Sequence, residues 1–325
     1  MNRALWKKAI CEAQGLLLAC AAPMFAFCWL RVWLTTLWDA SQFEAILRHL
    51  PPLFERSIPV PLDQIASYPG RIALAYDAPP VVLIITVWAI SRGSDCVSGE
   101  LDRGTMELLL AQPVSRLRIL LTQATVTIGG TVLLALVAWG GTATGIATTT
   151  VEEPPEQPKI TLPLGPFAWD IPLPTKQRET RRVPMSQKVE TRLFLPAAIN
   201  LLALGVFLAG LATFMSSWDR FRWRTIGIVM GIYVVELIVK VVGVSAPDWS
   251  WLTRLTFFTA FEPQKFVHVA VREPQNLWSL LLWDSEGRWT DLGPLGYDAV
   301  LMGLGLAAYL AATAIFCRRD LPAPL

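Results

Sequence analysis

Residues 119–142 read I-L-L-T-Q-A-T-V-T-I-G-G-T-V-L-L-A-L-V-A-W-G-G-T, and no charge follows until Glu152. Roughly 20 mostly apolar residues in helical form cross the hydrocarbon core of a bilayer, which is about 30 Å thick. A run this long inside a soluble domain would have no core large enough to hide it. The stretch therefore reads as a membrane span, and the rest of the chain is read outward from it.

Five further runs fit the same description. The first span covers 13–37; Arg31 is expected to snorkel outward beside Trp29, Trp33 and Trp38. The second, 72–91, is weak, because Ala78–Ser91 supplies only a short uncharged run behind Asp77 and Pro79-Pro80, and a re-entrant segment is the alternative. Spans at 193–218, 225–244 and 299–316 complete six, so both termini fall on one side. The fold class is an all-α integral membrane protein embedded in a lipid bilayer.

Composition agrees. Of 325 residues 53% are apolar and 17% charged, with Lys+Arg 28 against Asp+Glu 26 and a net charge of +2. Soluble domains carry roughly 25% charge. Disordered chains, nucleic-acid binders driven by bulk charge and ordinary soluble enzymes are excluded. No cleavable signal peptide is expected. The five cysteines, Cys11, Cys20, Cys28, Cys96 and Cys317, show no zinc spacing and none falls in an external loop, so no structural disulfide is expected.

Lys/Arg bias sets the orientation. With termini inside, the cytoplasmic pieces 1–12, 91–118, 216–224 and 317–325 hold 12 Lys/Arg in 58 residues. The external pieces 39–72, 147–192 and 246–296 hold 14 in 131. Arg181-Arg182, Lys188 and Arg192 argue the other way, but long loops translocate largely regardless of charge. A short helix is expected around Phe43–His49. The proline-rich loop 147–192 is expected to make an extended, hairpin-like excursion. An interfacial or re-entrant helix is expected at 249–261, and a second such piece at Asn276–Trp283.

The most informative segment is S-R-G-S-D-C-V-S-G-E-L-D-R-G-T-M-E-L-L-L-A-Q-P-V-S-R, residues 91–116. Asp95 or Ser98 suits a helix start. Gly99 and Gly104 permit turns. Met106–Ala111 is a short helical run closed by Pro113. Leu108, Leu109 and Leu110 on a polar projection point to a docking surface. The alternative, a helix lying on anionic lipid, is disfavoured by four acidic residues.

These residues resemble the signature of the ABC-2 type permeases: Glu100, Gly104-Thr105, Glu107 with the three leucines, and Pro113-Val114-Ser115-Arg116 ahead of a long span. The ending F-C-R-R-D-L-P, Phe316–Pro322, resembles the branch linked to multicopper-enzyme maturation. The resemblance implies one ABC-2 type transmembrane domain over 1–325 in a cell (inner) membrane. It implies a cytoplasmic coupling segment at 91–118 with Thr105–Ala111, including Met106, inserted into an ATPase cleft between Glu100 and Arg116 as polar anchors. It implies an exporter built from a separate ABC ATPase subunit and a second permease copy or paralogue. The chain has no G-x-x-x-x-G-K-[ST], so ATP would be bound by the partner and this chain needs no cofactor.

Other features are weaker. Glu236 and Lys240 lie four apart in a span, as a polar path lining or as a self-neutralising pair. Cys20, Met24 and Cys28 share a helix face, as soft sulfur ligands for copper or as ordinary packing. Gly227 and Gly231 allow close helix approach. His49 and His268 are the only histidines and form no H-E-x-x-H; no G-x-S-x-G is present. No catalytic residue is assigned. A non-transporting scaffold that anchors an ATPase is the alternative function.

Overall fold

The computed structural model describes residues 3–37, 61–153, 159–164, 167–172, 181–283 and 289–319. Its long helices are α1 (Arg3–Leu34), α2 (Tyr68–Asp77) running into α3 (Pro79–Ser94), α5 (Arg116–Thr148), α6 (Leu195–Trp218), α7 (Arg222–Ser245) and α9 (Pro294–Arg318). The short helices are α4 (Met106–Leu110) and α8 (Pro263–Arg272). Among the described residues six helical segments are long and apolar enough to cross a membrane, and they make this a multi-pass membrane protein.

The second crossing, weak in sequence, is a full-length helix rather than a re-entrant piece. It runs from Tyr68 to Asp102. Extended backbone at Ala78 bends it, with φ −63° and ψ 137°, at the point where Pro79 cannot donate. Asp95 and Ser98 do not start a helix. They lie inside a π turn, Asp95–Gly99, that continues α3. The Ser98 hydroxyl donates to the Ser94 carbonyl at 2.7 Å, so the side chain bonds back along the helix instead of capping one. α1 also starts earlier than its uncharged run, because Leu5 and Ala9 are already buried. Arg31 does not reach outward: its guanidinium donates to the Arg71 carbonyl on α2 at 3.4 Å.

α6 is the central helix. Small residues bring its neighbours onto it, most closely at Gly210, where an added Cβ would sit 2.4 Å from the Gly305 carbonyl oxygen of α9. Trp88 of α3 fills the space against α5, its indole donating to Thr127 O at 3.1 Å and Thr131 Oγ1 at 3.2 Å. α7 is the opposite case: Val234, Val235, Ile238 and Val241 are all exposed. Among the described residues, nothing beyond its own helix backbone lies within 4 Å of where a Cβ on Gly227 or Gly231 would stand, so no crossing is seen there.

At the end of the bundle away from the termini the connections are structured. β1 (Thr150–Glu153) pairs antiparallel with β4 (Arg181–Pro184), and β2 (Lys159–Leu164) with β3 (Phe167–Pro172). Residues 249–261 form 3-10 turns, Pro247–Leu255 and Phe257–Ala260, not an α-helix. Residues 276–283 are not a second interfacial helix: a turn leads into β5 (Leu281–Trp283), which pairs with β6 (Trp289–Leu292). α8 was not foreseen; its buried face is Phe266, Val267, Val269 and Ala270. The expected helix at Phe43–His49, Trp38 and the final Asp320–Pro322 lie outside the described residues.

Lys265 of α8 clamps this cap to β6 through Asp291, at 2.7 Å. Burial alone would raise the Asp291 carboxyl, but Lys265, the Tyr297 hydroxyl and the Leu292 N–H outweigh it and hold the carboxyl below its ordinary value. A depressed carboxyl stabilises the fold above its unfolded pKa of about 3.9 and loses that contribution as pH falls through its folded value. Asp291→Asn is therefore expected to cost about 1 kcal/mol or less at pH 7, the pair being partly exposed. The gap to the parent protein should close as pH falls through that folded value. Thermal unfolding of both proteins across that range checks it; a gap that persists in acid contradicts the assignment.

Candidate functional site

α4 stands on a charged base. Glu100 is fully buried. Its Oε1 accepts from Lys8 Nζ of α1 at 2.6 Å and lies 3.4 Å from Arg103 Nη2, while Oε2 accepts from the Thr105 hydroxyl. One turn earlier Asp95 takes Arg103 Nη1 at 2.6 Å, with Arg92 and Arg222 each at 3.5 Å. Arg92 also donates to Gln123 of α5 at 2.7 Å. The Ser216 hydroxyl of α6 accepts the N–H groups of Val97 and Ser98, which the π turn leaves off the regular ladder. Buried charges this dense hold together only when each is paired.

Gly104 then reverses the chain with φ +68°, a conformation that only glycine adopts cheaply. α4 follows, and its residues divide sharply. Met106 is buried with Cys96, Val97, Leu120, Ala312 and Phe316. Leu109 packs on Leu5 and Ile119. Leu110 touches both groups. Leu108 is 70% exposed, and Glu107 and Pro113 are exposed with it. The three leucines therefore do not form one docking face; 3.6 residues per turn send two inward and one out. Arg116 closes the segment by donating to the carbonyls of Phe316 at 3.2 Å and Arg319 at 2.6 Å. Glu100 and Arg116 thus both point into the bundle. Every long helix except α2 contributes to this base.

The comparison with known families settles what kind of bundle this is. A profile of the ABC-2 family transporter proteins matches residues 34–321. The chain belongs to that family. No curated protein matches it by sequence comparison. ABC-2 membership makes it a transmembrane transporter subunit, not itself catalytic, of the kind that works with an ABC ATPase.

At the other end, Glu236 and Lys240 of this ABC-2 subunit do not pair. Lys240 Nζ donates to the Phe258 carbonyl at 2.9 Å and lies 4.0 Å from Glu262 Oε1. The Phe257–Ala260 turn wedges against α7 and offers that carbonyl, which draws the ammonium away from its own helix. Glu236 keeps a buried Oε2 without a hydrogen-bond partner and lines a separate cavity of about 410 Å³ with Arg254 and Thr256. Lys240 lines a cavity of about 760 Å³ with Asp77 and Glu262. Burial pushes the Glu262 carboxyl up, against the pull of Lys240 and Lys265. Sequence reading missed Glu262 and treated Asp77 only as a flaw in a span. An acid inside a span is itself a signal of a site.

Cys20, Met24 and Cys28 are buried on one face of α1, where Cys28 meets α5 at Gly141. Among the described residues no group of three or more His, Cys, Asp or Glu could hold a metal ion.

Proposed function

We propose that this chain is the membrane half of an ATP-driven exporter in a cell membrane. Residues 91–118 form its coupling segment, on the cytosolic side with both termini. A separate ABC ATPase binds the nucleotide and seats α4 in a cleft. Closure of the ATPase pushes on α4, and the ionic base passes that movement to the helices. The observation that carries this reading is the contrast within α4: Leu108 is exposed, while Met106, Leu109 and Leu110 beside it are packed into the bundle. An apolar tip in solvent gains free energy only when something covers it.

The lysine and arginine bias of this end, which favours the cytosolic side, supports the same assignment. The α7 face of Gly227, Gly231, Val234 and Ile238, with open space at both glycines, suits a second copy or a paralogue across a shared path. Lys240 and Glu236 would then stand near the outer mouth of that path.

The test is Leu108→Glu. Its side chain touches solvent, so the fold is expected to hold while affinity for the ATPase subunit falls about tenfold, the loss of one apolar anchor of about 1.4 kcal/mol. Co-purification and substrate-stimulated ATP hydrolysis measure it. Unchanged association and activity would overturn the coupling role. Leu109→Glu is the wrong probe, because it would bury a carboxylate against Leu5 and Ile119.

A further inference from the structure

The 760 Å³ cavity between α3 and α7 has two chemically different halves. Its size lies within the roughly 300–1,000 Å³ typical of small-molecule pockets. One half is a stem of Val82, Leu83, Leu237, Val241 and Phe258. Leu83 and Val241 are more than half exposed, so the stem opens sideways toward the bilayer rather than into a sealed core. The other half holds Asp77, Lys240, Glu262 and Gln264.

The depth of the polar half follows from helix geometry. Lys240 is 18 residues beyond Arg222 at the start of α7, about 27 Å along the axis. Asp77 precedes Asp95 by 18 residues, a similar distance despite the bend at Ala78. Both therefore sit close to the outer edge of a core about 30 Å thick. The stem below them lies at acyl-chain depth. Two carboxylates face Lys240 there; Lys265 also pulls on Glu262, but it is taken up by Asp291 at 2.7 Å. Lys240 already gives one bond to the Phe258 carbonyl, and the nearest Glu262 oxygen is 4.0 Å away. The polar half is thus short of positive charge, in a partly buried site where an unpaired carboxylate is costly.

We propose that this groove binds an amphiphile with one ammonium head and one apolar tail, the head between Asp77 and Glu262 and the tail along the stem. An amine supplies the missing cation, adding to the Gln264 hydrogen bonds that Asp77 already accepts. An anionic head would meet two like charges. The volume suits a single tail, not a glycan chain or a folded peptide. As a substrate class this rests on the transporter reading, but occupancy of the groove does not, and it is measured without ATPase or ATP.

The experiment places the full-length chain in phosphatidylglycerol nanodiscs, which carry no ammonium head. It is photolabelled with dodecylamine bearing a terminal diazirine, and separately with the matched alcohol. Labelled peptides from 79–86 and 237–244 are expected, with the amine favoured. The pair Asp77→Asn and Glu262→Gln should lower amine labelling about tenfold and leave alcohol labelling intact, which also reports that the fold has survived. Leu83→Trp should block both probes by filling the stem. Lys240→Gln should raise amine labelling by removing the competing ammonium, and it decides the matter if the double variant takes up neither probe. Equal labelling by amine and alcohol in the parent, unchanged amine labelling in the double variant, or a fall with Lys240→Gln would each overturn the proposal. Replacing half the lipid with phosphatidylethanolamine separates the sources: competition marks a membrane lipid as the occupant, and its absence a free cationic amphiphile.

Discussion

Glu100→Gln is expected to lower the stability of the protein by about 3 kcal/mol and to uncouple it from its ATPase. The first effect follows from burial. Glu100 is fully enclosed, with Lys8, Arg103 and Thr105 all directed at its carboxylate. Removing one member of a buried ionic cluster leaves the others desolvated and unpaired, at a cost of roughly 3–5 kcal/mol. The lower end applies because Lys8 and Arg103 each retain some access to water. The second effect follows from position. Glu100 is the last buried residue before the Gly104 turn, so it fixes α4 relative to α1 and α3. A loosened α4 would still present Leu108 yet transmit no push. Thermal unfolding and substrate-stimulated ATP hydrolysis with the ATPase bound separate the two. A variant that unfolds like the parent, or that stays coupled, contradicts the role. Adding Lys8→Met should recover part of the stability and none of the coupling, because it removes a stranded charge without restoring the clamp.

Much of the architecture was legible because a bilayer imposes length. Residues 119–142 and 193–218 announce crossings from composition alone, and the structure has helices there. What failed to show was whatever depends on tertiary partners. The second span looked too short because Asp77 and the two prolines interrupt it, yet a bend at Ala78 accommodates the prolines and Gln264 supplies hydrogen bonds to Asp77. Asp95 and Ser98 looked like caps because nothing local reveals that Ser216, more than a hundred residues away, takes up the amides of a π turn. At the candidate site the motif gave the residues but not their facing. Leu108, Leu109 and Leu110 are chemically equivalent in the sequence; only the packing of Leu5, Ile119 and Phe316 sends two of them inward. Glu236 and Lys240 followed the i,i+4 rule, and the rule lost to a carbonyl delivered by the Phe257–Ala260 turn.

Gly210→Leu is expected to cost about 3 kcal/mol or more, with Gly210→Ala intermediate. At Gly210 the backbones of α6 and α9 touch: an added Cβ would lie 2.4 Å from the Gly305 carbonyl oxygen and 3.1 Å from its Cα. Backbone cannot rotate aside as a side chain can, so the two helices must part. Membrane helices gain their association from such close approach rather than from the hydrophobic effect, and parting them loses it along the seam. The seam leads down to the coupling base. There Arg319, just past α9, donates to the carbonyls of Ser217 and Trp218 at the end of α6 at 3.1 Å and 2.6 Å. Phe316 of α9 packs on Met106. Separation at Gly210 should therefore weaken ATPase coupling as well as stability, though the site is far from α4 along the chain. The other glycines set the scale. Gly305→Ala should cost less, its nearest atoms being at 3.0 Å. Gly227→Ala, with open space around it, should leave the isolated chain unharmed and, through helix propensity, up to about 1 kcal/mol more stable. Unfolding midpoints of the four variants in one detergent give the order directly. If Gly305→Ala proves as harmful as Gly210→Leu, or Gly227→Ala destabilises the isolated chain, backbone contact is not what holds α6 and α9 together.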